Sequence, residues 1–181
     1  AKQAALPFNI SLGEPLDAAP LVCAALAIVE FSFQEVALRQ ASRLIRSPFI
    51  GGAQAEIAAR SMLDARLRRR LSARVTLPKL IGEVTGCPIL RSCLEKVFSV
   101  DQSAGRKNES PHFWAQHFSA LLDAAGFPGE RAIDSAEFQA RAKFNQALTE
   151  LSRLGAVAGR ISIFDAMKRI RRLCTETLFQ P

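Results

Sequence analysis

Proline and glycine divide this sequence into segments of helix length. Between them, apolar residues return every three or four positions, and no strand-like alternation is sustained. Polar residues stand where such segments should begin. Ser110 precedes Pro111, Asp134 stands three before Glu137, and Ser162 stands three before Asp165. Ser32 and Glu35 share that spacing, which predicts a helix from Ser32 to about Arg46 after a first helix opened by Asp17 to Pro20. Ser47 to Gly52 reads as a turn. A third helix is expected from about Ala53 to Leu71. Thr76 with Pro78 opens a short one that Gly86 ends, and Pro88 opens another to about Phe98. Gly126 closes the helix from Ser110, Gly155 the long helix from Asp134, and the last helix fades near Leu178. Pro7 to Leu16 is extended or irregular. The expected fold class is all-α, a compact multi-helix domain of seven or eight helices.

A chain of 181 residues, 49% of them hydrophobic, has enough apolar material for one core. The polar stretch Asp101 to Glu109 reads as a linker, giving a lobe over 1–100 and a lobe over 110–181 that share that core. The longest apolar run, Leu21 to Phe33, is too short to cross a membrane and carries Glu30. It also lacks the basic leader and cleavage site of a signal peptide. The sequence begins at Ala1 and stops at Gln180-Pro181, so it is expected to be a piece of something longer.

Little here can do chemistry. The cysteines Cys23, Cys87, Cys93 and Cys174 form no C-x-x-C pair and are expected to be free thiols in a cytoplasmic protein. His112 and His117 stand five apart, about 140° around a helix, and cannot share one metal from one face. His117 falls beside the stripe Trp114, Phe118 and Leu121; His112 is expected to be exposed. No phosphate-binding G-x-x-x-x-G-K-[ST], H-E-x-x-H or G-x-S-x-G string occurs. Asp64, Asp123, Asp134 and Asp165 read as surface or capping groups. No catalytic residue, metal or cofactor is expected.

Charge is more informative. Lys and Arg total 24 against 17 Asp and Glu, a net +7, and the excess is local. Arg39, Arg43, Arg46, Arg60, Arg66, Arg68, Arg69, Arg70, Arg74 and Lys79 face only Glu56 and Asp64 within the same stretch. Such a field suits a phosphate backbone or an acidic protein surface, and it also suits a merely solvated helix face. At 100° per residue, Leu63, Leu67 and Leu71 line one side of the third helix and Arg69 points away from them. The helix dipole alone would account for three arginines at its C-terminus. Gly51-Gly52 ahead of that helix reads either as a tight turn or as an anion cradle of backbone N–H groups. In the last helix Ile163, Met167, Ile170, Leu173 and Cys174 form an apolar arc, and Lys168, Arg169, Arg171 and Arg172 occupy the rest.

The order of local strings resembles a known family. The chain runs ALPFNISLGEPLDAAPLVCAALAIVE, then RLIRSPFIGGAQAEIAARSMLDARLR, then FWAQHFSALLDAAGFPGERAIDSAEFQARAKFNQALTELSRL, and ends RISIFDAMKRIRRLCTETLFQP. This resembles the middle of bacterial DNA-repair proteins related to AddB, relatives of the UvrD-like superfamily 1 helicases, many of which carry a RecB-type nuclease domain. Within them it is similar to the helical insertion called the 2B subdomain. ALPFNISLGEPL resembles the strand before that insertion. SPFIGG resembles the P-x-R-G-I-G turn that approaches duplex DNA, matched at Pro48, Ile50 and Gly51 or Gly52, with Phe49 standing where the family has arginine.

The resemblance implies a non-catalytic accessory domain of a helicase- or nuclease-like repair protein. Its partner would be DNA, duplex or forked, held without regard to sequence and with no membrane involved. Arg60, Arg66, Arg69, Arg70, Arg74 and Lys79 are the expected phosphate contacts, with Gly51 and Gly52 adding backbone N–H groups. The alternative is a scaffold whose basic face docks a partner helicase or nuclease subunit.

Overall fold

The computed structural model describes residues 13–105, 107–154 and 159–180. Among these residues are eight α-helices: α1 (Pro20–Phe33), α2 (Leu38–Ile45), α3 (Ile57–Arg70), α4 (Leu77–Glu83), α5 (Pro88–Ala104), α6 (Pro111–Ala124), α7 (Ser135–Arg153) and α8 (Ile163–Glu176). A 3-10 turn, Leu16–Ala18, leads into α1. Two short ladders complete the element list. β1 (Glu14–Pro15) lies antiparallel to β4 (Leu178–Phe179), and β2 (Val36–Ala37) lies antiparallel to β3 (Arg74–Val75). The expectations placed on Pro7 to Leu12 and on Gly155 lie outside the described residues.

Helix α1 is the centre of the molecule. Its sequence, PLVCAALAIVEFSF, is apolar around the full circumference, and a helix of that kind must be surrounded. Helices α2, α4, α5, α6 and α7 all pack on it. The apolar run that was too short for a membrane is therefore the core helix. No helix among the described residues is long and apolar enough to cross a membrane. One hydrophobic cluster extends from Leu16 through Trp114 to Phe179, so both halves of the chain contribute to a single core. Trp114 is fully buried, and its indole N–H donates to the Ile161 carbonyl at 2.8 Å.

Several predicted starts hold. Ser110 Oγ accepts from the Phe113 N–H at 3.1 Å and caps α6. Asp134 accepts from the Glu137 N–H at 2.8 Å while Glu137 accepts from the Asp134 N–H at 3.0 Å, a complete capping box on α7. Ser162 caps α8 through the Asp165 N–H at 3.1 Å. That hydroxyl also donates to the Asp165 carboxylate, which holds Asp165 below the ordinary carboxylate range.

Two expectations are corrected. Ser32 starts no helix: it lies in the last turn of α1, and α2 begins at Leu38 after the β2 strand. The first part of the expected linker is helical, because α5 runs on through Ala104 to Gly105 at φ +67°. One contact explains both. Ser32 Oγ donates to the Val29 carbonyl at 2.9 Å and reaches Asp101 Oδ1 at 3.4 Å, with both side chains buried. Two polar residues that look like boundary signals satisfy each other inside the core.

The loop between α6 and α7 sits directly on the 47–52 turn. Gly129 has φ +91°, and a Cβ there would overlap the Pro48 carbonyl oxygen. Gly129→Ala is therefore expected to destabilise the chain by about 2–4 kcal/mol in urea denaturation. Gly86→Ala, at φ +76° but in open space, is expected to lose only about 1 kcal/mol.

Candidate nucleic-acid interface

The predicted phosphate contacts separate into interior and exterior groups. Arg60 belongs to the interior. Its side chain is 2% exposed and forms an ion pair with Glu56 one turn earlier, Nη2 to Oε2 at 3.0 Å. The guanidinium also donates to the carbonyls of Gly51 and Ile45. Glu56, also buried, accepts from the Ile89 and Leu90 N–H groups at 2.6 and 3.0 Å. It thereby caps α5, whose own start offers no side-chain cap. Arg60 is spent on the fold and leaves the set of phosphate contacts.

Gly51 and Gly52 leave it too. Both are buried under the α6–α7 loop. The Gly51 N–H donates to the Ala125 carbonyl at 2.9 Å, and the Gly52 N–H donates to Glu130 Oε1 at 2.8 Å. Gly52 adopts φ +77°, which explains glycine there without any ligand. Beside them Arg131 lies over the Phe49 ring, 5.2 Å from its centroid. The SPFIGG turn is a packed joint between the two halves, and the N–H groups of Gly51 and Gly52 are already satisfied.

Asp64 is a further correction. It is 6% exposed and gathers Arg68 at 3.0 Å, Arg46 at 3.3 Å and the Ser42 hydroxyl. Glu56, Arg60 and Asp64 thus form a buried polar stripe at i, i+4 and i+8 along α3, holding α5 on one side and α2 on the other. The i, i+4 spacing was visible in the sequence. What hid the stripe was that all three residues are of types usually found outside.

Of the remaining predicted residues, Arg69, Arg70, Arg74 and Lys79 are exposed and Arg66 is half-buried. Arg69 and Lys79 are exposed and form no ion pair among the described residues. Arg66 donates to the Glu83 carbonyl at 3.0 Å, the end of α4. Arg70 reaches the Glu83 carboxylate at 3.5 Å with its side chain 62% exposed. Arg74 pairs with Glu35 at 2.9 Å and is 60% exposed. Exposed pairs of this kind are weak and readily give way to another anion. Asp64, though buried, takes up Arg46 and Arg68, and Glu83 and Glu35 hold Arg70 and Arg74, so among the described residues Arg69 and Lys79 are the predicted contacts left without an ion pair or side-chain hydrogen bond.

All four cysteines are free thiols, and Cys23 alone is exposed. Burial, with Asp17 adding to it, pushes the Cys174 thiol up to about 12. Burial first and Asp17 second raise Cys23, while Arg171 and Arg43 pull it down. His117 is buried in the aromatic cluster, as its place beside Trp114 predicts, and His112 is exposed and within 2.7 Å of the Ser152 hydroxyl. Among the described residues no three His, Cys, Asp or Glu side chains converge on a metal-sized site. Compared with family models, with curated proteins and with solved structures, the chain shows no match.

Glu56→Ala, which leaves a buried guanidinium unpaired, is expected to cost about 3–5 kcal/mol in urea denaturation. Arg69→Ala is expected to change stability by less than about 0.5 kcal/mol. With Ellman's reagent near neutral pH, the native chain is expected to react at Cys23 only, and the unfolded chain at all four thiols.

Proposed function

We propose that this chain is a non-catalytic accessory domain of a cytoplasmic DNA-repair protein of the AddB-like, UvrD-related kind. It contacts the DNA backbone through the exposed basic surface of α3, β3 and α4. The observation that carries the reading is the exposed end of α3 together with α4, where Arg69 and Lys79 form no ion pair among the described residues and Arg70 and Arg74 are held only in exposed pairs. Arg66, Arg69, Arg70, Arg74 and Lys79 are the contacts. They carry charge without a base-reading geometry, so binding depends on salt and ignores sequence.

The β1–β4 ladder supports the comparison with an inserted subdomain. It places Glu14 opposite Phe179, so the chain enters and leaves this helical body side by side. A helical body with adjacent ends can be inserted into another domain without disturbing it.

A second reading, docking of a partner protein, is favoured by Met62 and Ile57, which stand 74% and 70% exposed on the helix that carries the arginines. Reversal of Arg66, Arg69 and Arg70 to Glu separates the two readings from folding. The triple variant is expected to keep its helical content, to lose some urea stability with the Arg66 bond to the Glu83 carbonyl, and to lose about tenfold or more in affinity for duplex DNA at low salt. An unchanged affinity would remove these residues as the DNA contact and leave the docking reading.

A further inference from the structure

A groove of about 760 Å³ runs between α1, α2, the 47–49 turn and α8, away from the residues assigned to DNA. Its apolar floor is Ala24, Ala27 and Leu44. Three guanidiniums line it: Arg43, Arg46 and Arg171. Two carboxylates line it as well, Asp17 and Glu30, and both are occupied. Glu30 accepts from Gln34 at 2.6 Å and from Arg171, and Asp17 accepts from the Thr175 hydroxyl at 2.7 Å. Arg171 is held by Glu30, and Arg46, 48% exposed, pairs with Asp64 at 3.3 Å and donates to the Ser42 carbonyl at 3.4 Å. Arg43 is exposed and forms no ion pair among the described residues. The uncommitted charge of the groove is therefore Arg43, on its α2 wall, with the half-exposed Arg46 beside it.

We propose that this groove docks an acidic peptide segment, seating aliphatic side chains on the Ala24–Ala27–Leu44 floor and carboxylates on Arg43 and Arg46. The charge of the α2 wall selects acidic residues, and the small floor residues leave room for leucine- or valine-sized side chains. Nucleic acid fits the groove less well. Phe49 is 4% exposed, its face is taken by Arg131, and no other aromatic lines the groove for a base to stack on. Asp17 and Glu30 also repel evenly spaced phosphates, whereas a peptide can keep its carboxylates to the opposite wall. The proposal does not rest on the DNA reading, since neither Arg43 nor Arg46 is among the residues assigned to the duplex.

The test uses the full chain and a short fluorescein-labelled peptide of alternating leucine and aspartate, followed by anisotropy. A peptide with lysine in place of aspartate and an oligothymidylate serve as competitors. Arg43→Glu is expected to weaken binding of the acidic peptide about tenfold. Ala27→Trp, which fills the floor, is expected to do the same, while Lys96→Glu on α5 is expected to leave it unchanged. Bound peptide is also expected to slow the reaction of Cys23, which lines the same groove, with Ellman's reagent. Three results would overturn the proposal: no binding of the acidic peptide, binding indifferent to both groove variants, or displacement by oligothymidylate with the same dependence on Arg43. The α3 triple reversal is expected to retain peptide binding, so this proposal and the DNA reading can fail separately.

Discussion

The buried Glu56–Arg60 pair holds together the three segments on which the first half of the chain depends. Burying two charges costs several kcal/mol per ion, and the pair survives because nearly all its bonding capacity is used. Glu56 takes the first N–H groups of α5, and Arg60 takes the carbonyls of Gly51 and Ile45. One ion pair thus fixes the start of α5, the end of α2 and the 51–52 turn relative to α3. The same turn then supports the α6–α7 loop through Gly51, Gly52 and Gly129, and so joins the two halves of the chain.

That arrangement also decides what the surface can do. A stretch with ten basic residues and two acids could have placed its acids outside, where they would mask the arginines. Here Glu56 and Asp64 face inward and satisfy helix ends and neighbouring side chains. Asp64 still takes up Arg46 and Arg68, which leaves Arg69 and Lys79 uncommitted outside, with the half-buried Arg66 on the Glu83 carbonyl and Arg70 and Arg74 in exposed pairs.

Much of the fold was legible because helix punctuation is local. Pro111, the Asp134–Glu137 box and the Ser162 cap act within one turn, so sequence spacing suffices to find them. Ser32–Glu35 has the same spacing and misleads, because Ser32 answers to Asp101, 69 positions away. The site was legible only as charge. Whether an arginine faces water or a buried carboxylate depends on what packs around it, and nothing near Arg60 in the sequence announces that the Ile45 and Gly51 carbonyls will. The glycines of SPFIGG misled for a related reason. A resemblance to a DNA-approaching turn says nothing of the loop from residue 126 onward that covers it here.

The proposed DNA contact requires a salt-dependent, sequence-indifferent attraction between this domain and the phosphate backbone. Anisotropy of labelled duplex, single-stranded and forked DNA, titrated with the chain across a salt series, measures that attraction directly. Neutralising several phosphates predicts that log K falls against log salt with a slope of roughly −3 or steeper, and that unrelated duplex sequences bind alike. No binding at low salt, or binding whose strength ignores salt, would contradict it.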